Sequence, residues 1–144
     1  MLFRSEGGLL VGLEVGLGKF FDIDVTQAIR AVYRSGEKDS LGPQRGTQLT
    51  RVTKLVAKPG YAIGAMTVKS GANADGLSVT FMRIKGAALD PNDSYESEWV
   101  GDTRPGGKTL LTGGGKPIFG IVVKATAKDV TGLGLILTKE QPKK

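Results

Sequence analysis

The sequence contains no cysteine and no histidine. It therefore cannot form a disulfide, a Cys-His or Ser-His-Asp catalytic arrangement, or one of the usual structural zinc sites. Aromatic residues make up only 6% of the chain, and no apolar run approaches the roughly 18 residues of a membrane span. We therefore expect a function without thiol or imidazole chemistry, and without a metal, a cofactor or a membrane.

The formal net charge of +6 is spread thinly along the chain. Three of the lysines lie at the C-terminal end, at Lys139, Lys143 and Lys144, and the other basic residues are scattered singly. Nucleic-acid-binding modules usually interleave clustered Arg and Lys with aromatic residues. Because that pattern is absent, we expect no nucleic-acid partner.

Glycine, in contrast, is abundant. The chain has 22 glycines in 144 residues, about twice the average frequency, and they separate short apolar runs. Glycine adopts turn conformations at little steric cost, so this distribution favours an all-β fold with many turns. We predict no helix, and the length suits one domain.

A hairpin over residues 61–83 is the clearest structural prediction. Leu77, Val79 and Phe81 alternate with Ser78 and other residues of the opposite face, which is typical of a half-buried strand. An apolar run over residues 62–68 precedes it, and residues 69–76 form the predicted loop.

The same pattern recurs near both ends of the chain. Twelve residues separate Gly64 from Gly76, and twelve separate Gly120 from Gly132. A looser copy, with predicted strands over residues 9–17 and 25–34, lies near the N-terminus. Three related hairpins at intervals of roughly fifty residues predict internal three-fold pseudo-symmetry.

The remaining segments predict about ten strands in three groups. Residues 49–57, 94–101 and 108–112 suit strands, residues 90–93 suit a turn, and a short edge strand is expected around Leu41. The predicted domain spans residues 7–138. Residues 1–6 are predicted to be a disordered or non-native extension, and residues 139–144 a disordered basic tail.

The order and spacing of several short motifs resemble the jacalin-like β-prism lectins. They include the strand AIRAVY at 28–33, the segment KPGYAI at 58–63 and the ending GLGL at 132–135. The resemblance implies a β-prism I-like fold, in which three Greek-key sheets form the faces of a prism.

In that family, a G-x-x-x-D loop and a Gly-Gly loop form the sugar site. Residues 71–75, GANAD, match the first pattern. The final loop departs from it, because Thr131 stands where the family has Asp. The resemblance implies the following candidate carbohydrate-binding residues: Gly7, Gly8, Gly71, Ala72, Asn73, Ala74, Asp75, Lys128, Asp129, Val130 and Thr131.

Several of these patterns also have ordinary structural interpretations. An Asp before Gly commonly forms a turn, so Asp75 is either a ligand or a turn former. Trp99 and Tyr95 form either a sugar-stacking platform or part of the core. An acidic cluster at residues 90–98 lacks the spacing of a calcium loop.

We therefore predict a non-catalytic, lectin-like module, part of a longer protein, that binds a mannose/glucose- or galactose-type saccharide. An extracellular or cell-envelope location is favoured, and a homo-oligomer is compatible with the sequence. No acidic pair that would suit glycoside hydrolysis is evident, so no enzyme is expected. The alternative is a jacalin-like scaffold without sugar binding that acts in protein interaction or structure.

Overall fold

The computed structural model describes residues 2–4, 8–20, 22–46, 51–69, 74–125 and 130–137. These residues form twelve β-strands and no helix, and hence no helix that could cross a membrane. The strands are β1 (Leu2–Arg4), β2 (Leu9–Phe20), β3 (Ile23–Ser35), β4 (Lys38–Gly46), β5 (Arg51–Val56), β6 (Tyr61–Lys69), β7 (Gly76–Lys85), β8 (Ala88–Glu96), β9 (Val100–Gly101), β10 (Lys108–Thr112), β11 (Gly120–Ala125) and β12 (Val130–Ile136).

The strands form three antiparallel sheets. One has the order β4-β3-β2-β5, and a second has the order β10-β6-β7-β8, with the short β9 also paired to β7. The third consists of β1, β11 and β12. Each sheet has one of the three predicted hairpins at its centre or edge, so the all-β β-prism prediction is confirmed.

One continuous core fills the space between the sheets. Alternate residues of each sheet point inward, since side chains on a strand face opposite sides in turn. Leu13 and Ile29 from the first sheet, Ile63 and Leu77 from the second, and Ile121 from the third are each at most 1% exposed. Because no sheet could bury its apolar face alone, the three depend on each other for stability.

The central hairpin matches its prediction closely. Val68 pairs with Leu77 near the loop, and Tyr61 pairs with Arg83 at the far end. The first hairpin is longer than predicted, because β2 runs to Phe20 and β3 begins at Ile23. Two register shifts in the β2–β3 pair let these long strands bend around the core.

Four segments differ from the sequence prediction. Residues 94–101, predicted as one strand, form the end of β8 and the two-residue β9, with a break at residues 97–99. Leu2–Arg4 is a strand paired with β11, whereas residues 1–6 were expected to be a disordered or non-native extension. The predicted short strand around Leu41 is a nine-residue edge strand, β4. An edge strand tolerates Pro43, which has no N–H to donate to a neighbouring strand. Residues 91–93 bulge out within β8, because Arg83 pairs with Asp90 and Met82 with Ser94, so the predicted turn interrupts a strand instead of ending one.

Candidate functional site

The described ends of two segments that the sequence singled out, residues 74–75 and residue 130, meet at one end of the prism. The backbone N–H of Ala74, at the base of the central hairpin, donates a hydrogen bond of 2.9 Å to the carbonyl oxygen of Val130 at the start of β12. Thr26 of β3 joins them through hydrogen bonds from its N–H to Asp75 O (3.1 Å) and from its hydroxyl to Ala74 O. We call this end of the molecule, with residues 74–76, 101–108 and 130, the loop end.

The main chain of Asp75 is fixed from two sides. Its carbonyl oxygen accepts hydrogen bonds from Thr26 N at 3.1 Å and from Asp102 N at 3.0 Å. The hydroxyl of Thr26 is fully buried. Two segments from different parts of the chain therefore position Asp75, and its side chain starts from a rigid backbone.

Two glycines allow this close approach of backbones. Gly101 has a φ of 104°, and a Cβ there would lie 2.4 Å from the carbonyl oxygen of Asp75. A Cβ on Gly76 would lie 2.8 Å from the indole ring of Trp99. Both positions require glycine, because any larger residue would displace either Asp75 or Trp99.

A cleft of about 480 Å³ opens beside Asp102, whose N–H donates to the carbonyl oxygen of Asp75. We call it the Trp99 cleft. Trp99 is held by a 2.9 Å hydrogen bond from its Nε1 to the carbonyl oxygen of Asp102, and the ammonium of Lys108 lies 4.4 Å from the centre of its ring. The lining residues are Trp99, Asp102, Thr103, Arg104, Pro105, Gly106 and Lys108.

Asp102 organises the floor of the Trp99 cleft. Its side chain is 0% exposed and accepts hydrogen bonds from Arg104 Nη2 at 2.8 Å and from Arg104 N at 2.9 Å. It also forms an ion pair with Lys69 Nζ at 2.9 Å. The side-chain hydrogen bonds from Arg104 lower the pKa of Asp102 well below its usual range, although burial acts in the opposite direction. Lys69 Nζ also donates to Arg104 O at 2.7 Å, so one buried carboxylate fixes the path of the loop.

The predicted site residues fall into three groups. Ala74, Asp75, Val130 and the backbone of Thr131 lie together at the loop end. Gly8 lies at the other end of β2, because the neighbouring Leu9 pairs with Arg34, far along β3 from Thr26. The remaining predicted residues are outside the described part of the chain: Gly7, Gly71, Ala72, Asn73, Lys128 and Asp129.

Tyr95 and Trp99, which the alternating sequence pattern places on one face of a strand, lie in different surroundings in the structure. Tyr95 packs against Tyr61 and Phe81, with ring centroids 5.3 and 4.9 Å away, and so belongs to a structural cluster. Trp99 lies beyond the end of β8 and lines the cleft. Among the described residues, no three acidic side chains converge on a potential metal site.

Sequence reasoning missed Asp102 and Arg104 as site residues. They lie in the segment GDTRPGG at 101–107, which the sequence marked only as a loop. A glycine pair, Gly106-Gly107, follows them on the approach to β10. The sequence shows only that this segment is rich in glycine and precedes a strand-like run at 108–112, which does not single out Asp102 or Arg104.

The fold is shared with solved lectin structures. The chain is similar to a prostate-specific WGA16 glycoprotein lectin at 14% identity, with a TM-score of 0.68, over 92% of this chain and 84% of that one. It is also similar to frutalin from Artocarpus incisa, solved in complex with galactose, at 13% identity, with a TM-score of 0.59, over 95% of this chain and 97% of that one. No family model and no curated protein sequence matches the chain. The resemblance to jacalin-like lectins is therefore confirmed at the level of fold.

Proposed function

We propose that this chain is a non-catalytic carbohydrate-binding module whose site is the loop end. The observation that carries the proposal is the hydrogen bond from Ala74 N to Val130 O, which joins the end of the G-x-x-x-D segment to the start of β12. The lectin structures with the same fold support the same class of function. A galactose- or mannose/glucose-type saccharide is the proposed ligand.

The chemistry of the loop end suits a sugar. A carboxylate has two oxygens and about four acceptor positions, so Asp75 can accept from sugar hydroxyls in addition to any contact within the protein. Gly106 lines the cleft, and the absence of a side chain there lets a ring approach the backbone closely. Trp99 offers an indole ring at the edge of the cleft, and aromatic rings are suited to the apolar face of a pyranose.

The scaffold alternative has one observation in its favour. Thr131 stands at the start of β12, where the family pattern has an Asp, so the final loop lacks that carboxylate. A module that had lost sugar binding would keep the same three sheets, because a fold does not by itself determine function.

A glycan-array screen of the wild type, Asp75→Ala and Asp39→Ala tests the proposal. Asp39 is the matched control, since it is an exposed acid on β4 that pairs with Arg34 away from the loop end. We expect the wild type and Asp39→Ala to bind the same glycans and Asp75→Ala to lose them. Circular dichroism shows whether each variant is folded.

Two results would contradict the proposal. Binding that survives in Asp75→Ala would place the site elsewhere on the molecule. If the folded wild type bound no glycan at all, the scaffold alternative would be favoured, and the search would turn to protein partners.

A further inference from the structure

We propose that the Trp99 cleft selects saccharides that carry a negative charge, either a carboxylate or a sulfate group. This inference rests on the proposed carbohydrate-binding function and names the chemical class of ligand. The basis of the inference is that the carboxylate of the cleft is buried, whereas its cationic side chains are exposed to solvent.

The negative charge of the cleft is enclosed within the protein. Asp102 is fully buried, and its carboxylate already accepts from the guanidinium and backbone of Arg104 and from the ammonium of Lys69. Since a carboxylate has about four acceptor positions, these bonds use most of its capacity. Asp102 therefore serves to hold two cations in place and is not presented to a ligand.

The cations, in contrast, extend toward solvent. The side chain of Arg104 is 49% exposed, and Lys108 is an exposed residue on the same wall. Arg104 uses Nε and Nη2 to bind Asp102. A guanidinium has five N–H donors, and no hydrogen bond among the described residues uses those of Nη1, which can therefore donate to another acceptor. A carboxylate or sulfate suits such donors, because charge-assisted hydrogen bonds are the stronger kind.

The register of β10 against β6 increases the positive charge of this wall. Lys108 pairs directly with Lys69 across the two strands, and like charges at opposite positions are destabilising. Lys69 is neutralised by Asp102, while the ammonium of Lys108 lies over the ring of Trp99. Among the described residues of β6, β10 and the segments around the cleft, Lys69, Arg104 and Lys108 provide three cations, and Asp75 and Asp102 provide two carboxylates, one of them enclosed. An anionic ligand relieves this excess.

The size of the cleft agrees with a short saccharide. At about 480 Å³ it lies within the usual range of small-molecule sites, roughly 300–1,000 Å³. A sugar ring placed between Pro105 and Trp99 would have its charged group within reach of Arg104 and Lys108. Lys108 would then move from the indole face or bridge the ring and the anion.

Tryptophan fluorescence tests this inference, since Trp99 is the only tryptophan in the chain. The wild type, Lys108→Gln and Lys38→Gln are titrated with a glucuronic acid-containing disaccharide, its sulfated form and its carboxyl-reduced neutral form. Lys38 is the matched control, an exposed lysine that pairs with Ser35 at the start of β4. Inorganic sulfate alone serves as the control for simple anion binding.

We expect both charged disaccharides to change the emission of Trp99 and to bind the wild type about tenfold more tightly than the neutral form. Lys108→Gln should lose most of that preference, and Lys38→Gln should keep it. The charged disaccharide that binds more tightly identifies the anionic group that the cleft prefers.

The outcomes separate this inference from the proposed function. Equal affinity for charged and neutral disaccharides would overturn the inference and leave the carbohydrate-binding proposal intact. An unchanged preference in Lys108→Gln, or a response to inorganic sulfate as strong as to the saccharides, would also overturn it. If no saccharide of any charge bound, the proposed function and this inference would both be wrong.

Discussion

The carboxylate of Asp102 is charged, enclosed and surrounded by donors from Arg104 and Lys69. Removing one member of such a buried pair is costly, because the remaining charge has no solvent to stabilise it. Lys69 is the member most affected, since its side chain is only 11% exposed, whereas that of Arg104 is 49% exposed.

We predict that Asp102→Asn lowers the free energy of unfolding by about 3 kcal/mol at neutral pH. The pKa of Asp102 is lowered in the folded state, so its contribution is complete above the unfolded value of about 4 and is lost as the pH falls below it. Urea unfolding from pH 7 to pH 2 measures both effects. The free energy of unfolding should fall less steeply with decreasing pH in the variant than in the wild type. An equal decrease in both proteins would contradict the lowered pKa of Asp102.

Tyr33 presents the opposite situation. It is 5% exposed, and no described residue offers its hydroxyl a hydrogen-bond partner. Burial raises the pKa of Tyr33 to about 12. Between pH 10 and pH 12 the unfolded chain loses this proton and the folded chain keeps it, so the stability of the folded state falls as the pH rises.

We predict that Tyr33→Phe stabilises the protein by about 1 kcal/mol at pH 7, because it removes a buried polar group without a partner. Above pH 10 the advantage should grow by about 1.4 kcal/mol per pH unit. Thermal or urea unfolding at pH 7, 9 and 11 measures it. A loss of stability at pH 7 would show that the hydroxyl makes a favourable contact.

The sequence could predict some of these residue roles and not others. The sequence draws attention to Asp75, because a glycine and an aspartate at fixed spacing precede a clear strand, and its role as a ligand stays a prediction. Asp102 could not be found, because its importance comes from Lys69, a partner on another strand, and from burial that the loop composition conceals. The sequence is compatible with two interpretations of Trp99, a core residue or a sugar-stacking platform. Its alternation with Tyr95 suggests one continuous strand, whereas β8 ends at Glu96.

The two-residue strand β9 positions the backbone of the candidate site. It consists of Val100 and Gly101, pairs with Leu77 and Gly76, and leads the chain into Asp102. The positive φ of Gly101 and its contact with the carbonyl of Asp75 connect this strand directly to the candidate site.

We predict that Gly101→Ala costs about 2–3 kcal/mol more stability than Gly86→Ala. Both glycines have a positive φ, which L-residues adopt at a cost of about 1 kcal/mol. Only Gly101 adds a clash, since a Cβ at Gly86 would meet nothing within 4 Å. Urea unfolding compares the two, and Trp99 emission should shift only in Gly101→Ala. Equal losses of stability in the two variants would mean that β9 shifts to accommodate the Cβ without strain.

The hairpins were the elements most open to prediction from sequence. The β6–β7 pair combines strict alternation with a glycine-containing loop, and local order of this kind needs no knowledge of distant partners. Edge strands such as β4 are harder, because their residues are mostly exposed and their glycine and proline resemble a loop. The backbone of β3 supplies the partner that makes β4 a strand.

For the whole molecule, the three sheets enclose a single core, and the sheet of β1, β11 and β12 is the smallest. Leu2–Arg4 covers the outer side of β11. Without β1, β11 would become an exposed edge with unpaired backbone groups, which favours association with another chain.

We predict that deleting residues 1–6 lowers the free energy of unfolding by about 1–3 kcal/mol, from the loss of the β1–β11 hydrogen bonds. Size-exclusion chromatography should show increased self-association of this variant. Deletion of residues 139–144 is the control, since the sequence predicts a disordered tail there. Unchanged stability and mass after the first deletion would favour the original prediction of an extension without structure.

The pairing of β1 with β11 also sets an order for folding during synthesis. Leu2 pairs with Val122, so β1 cannot find its partner strand until residue 122 has been translated. The β6–β7 hairpin can form as soon as its own residues emerge, whereas the last sheet depends on contacts between the most distant parts of the chain, which form slowly. Until that moment the apolar faces of the first two sheets lack their third partner, and such transiently exposed apolar surface favours aggregation.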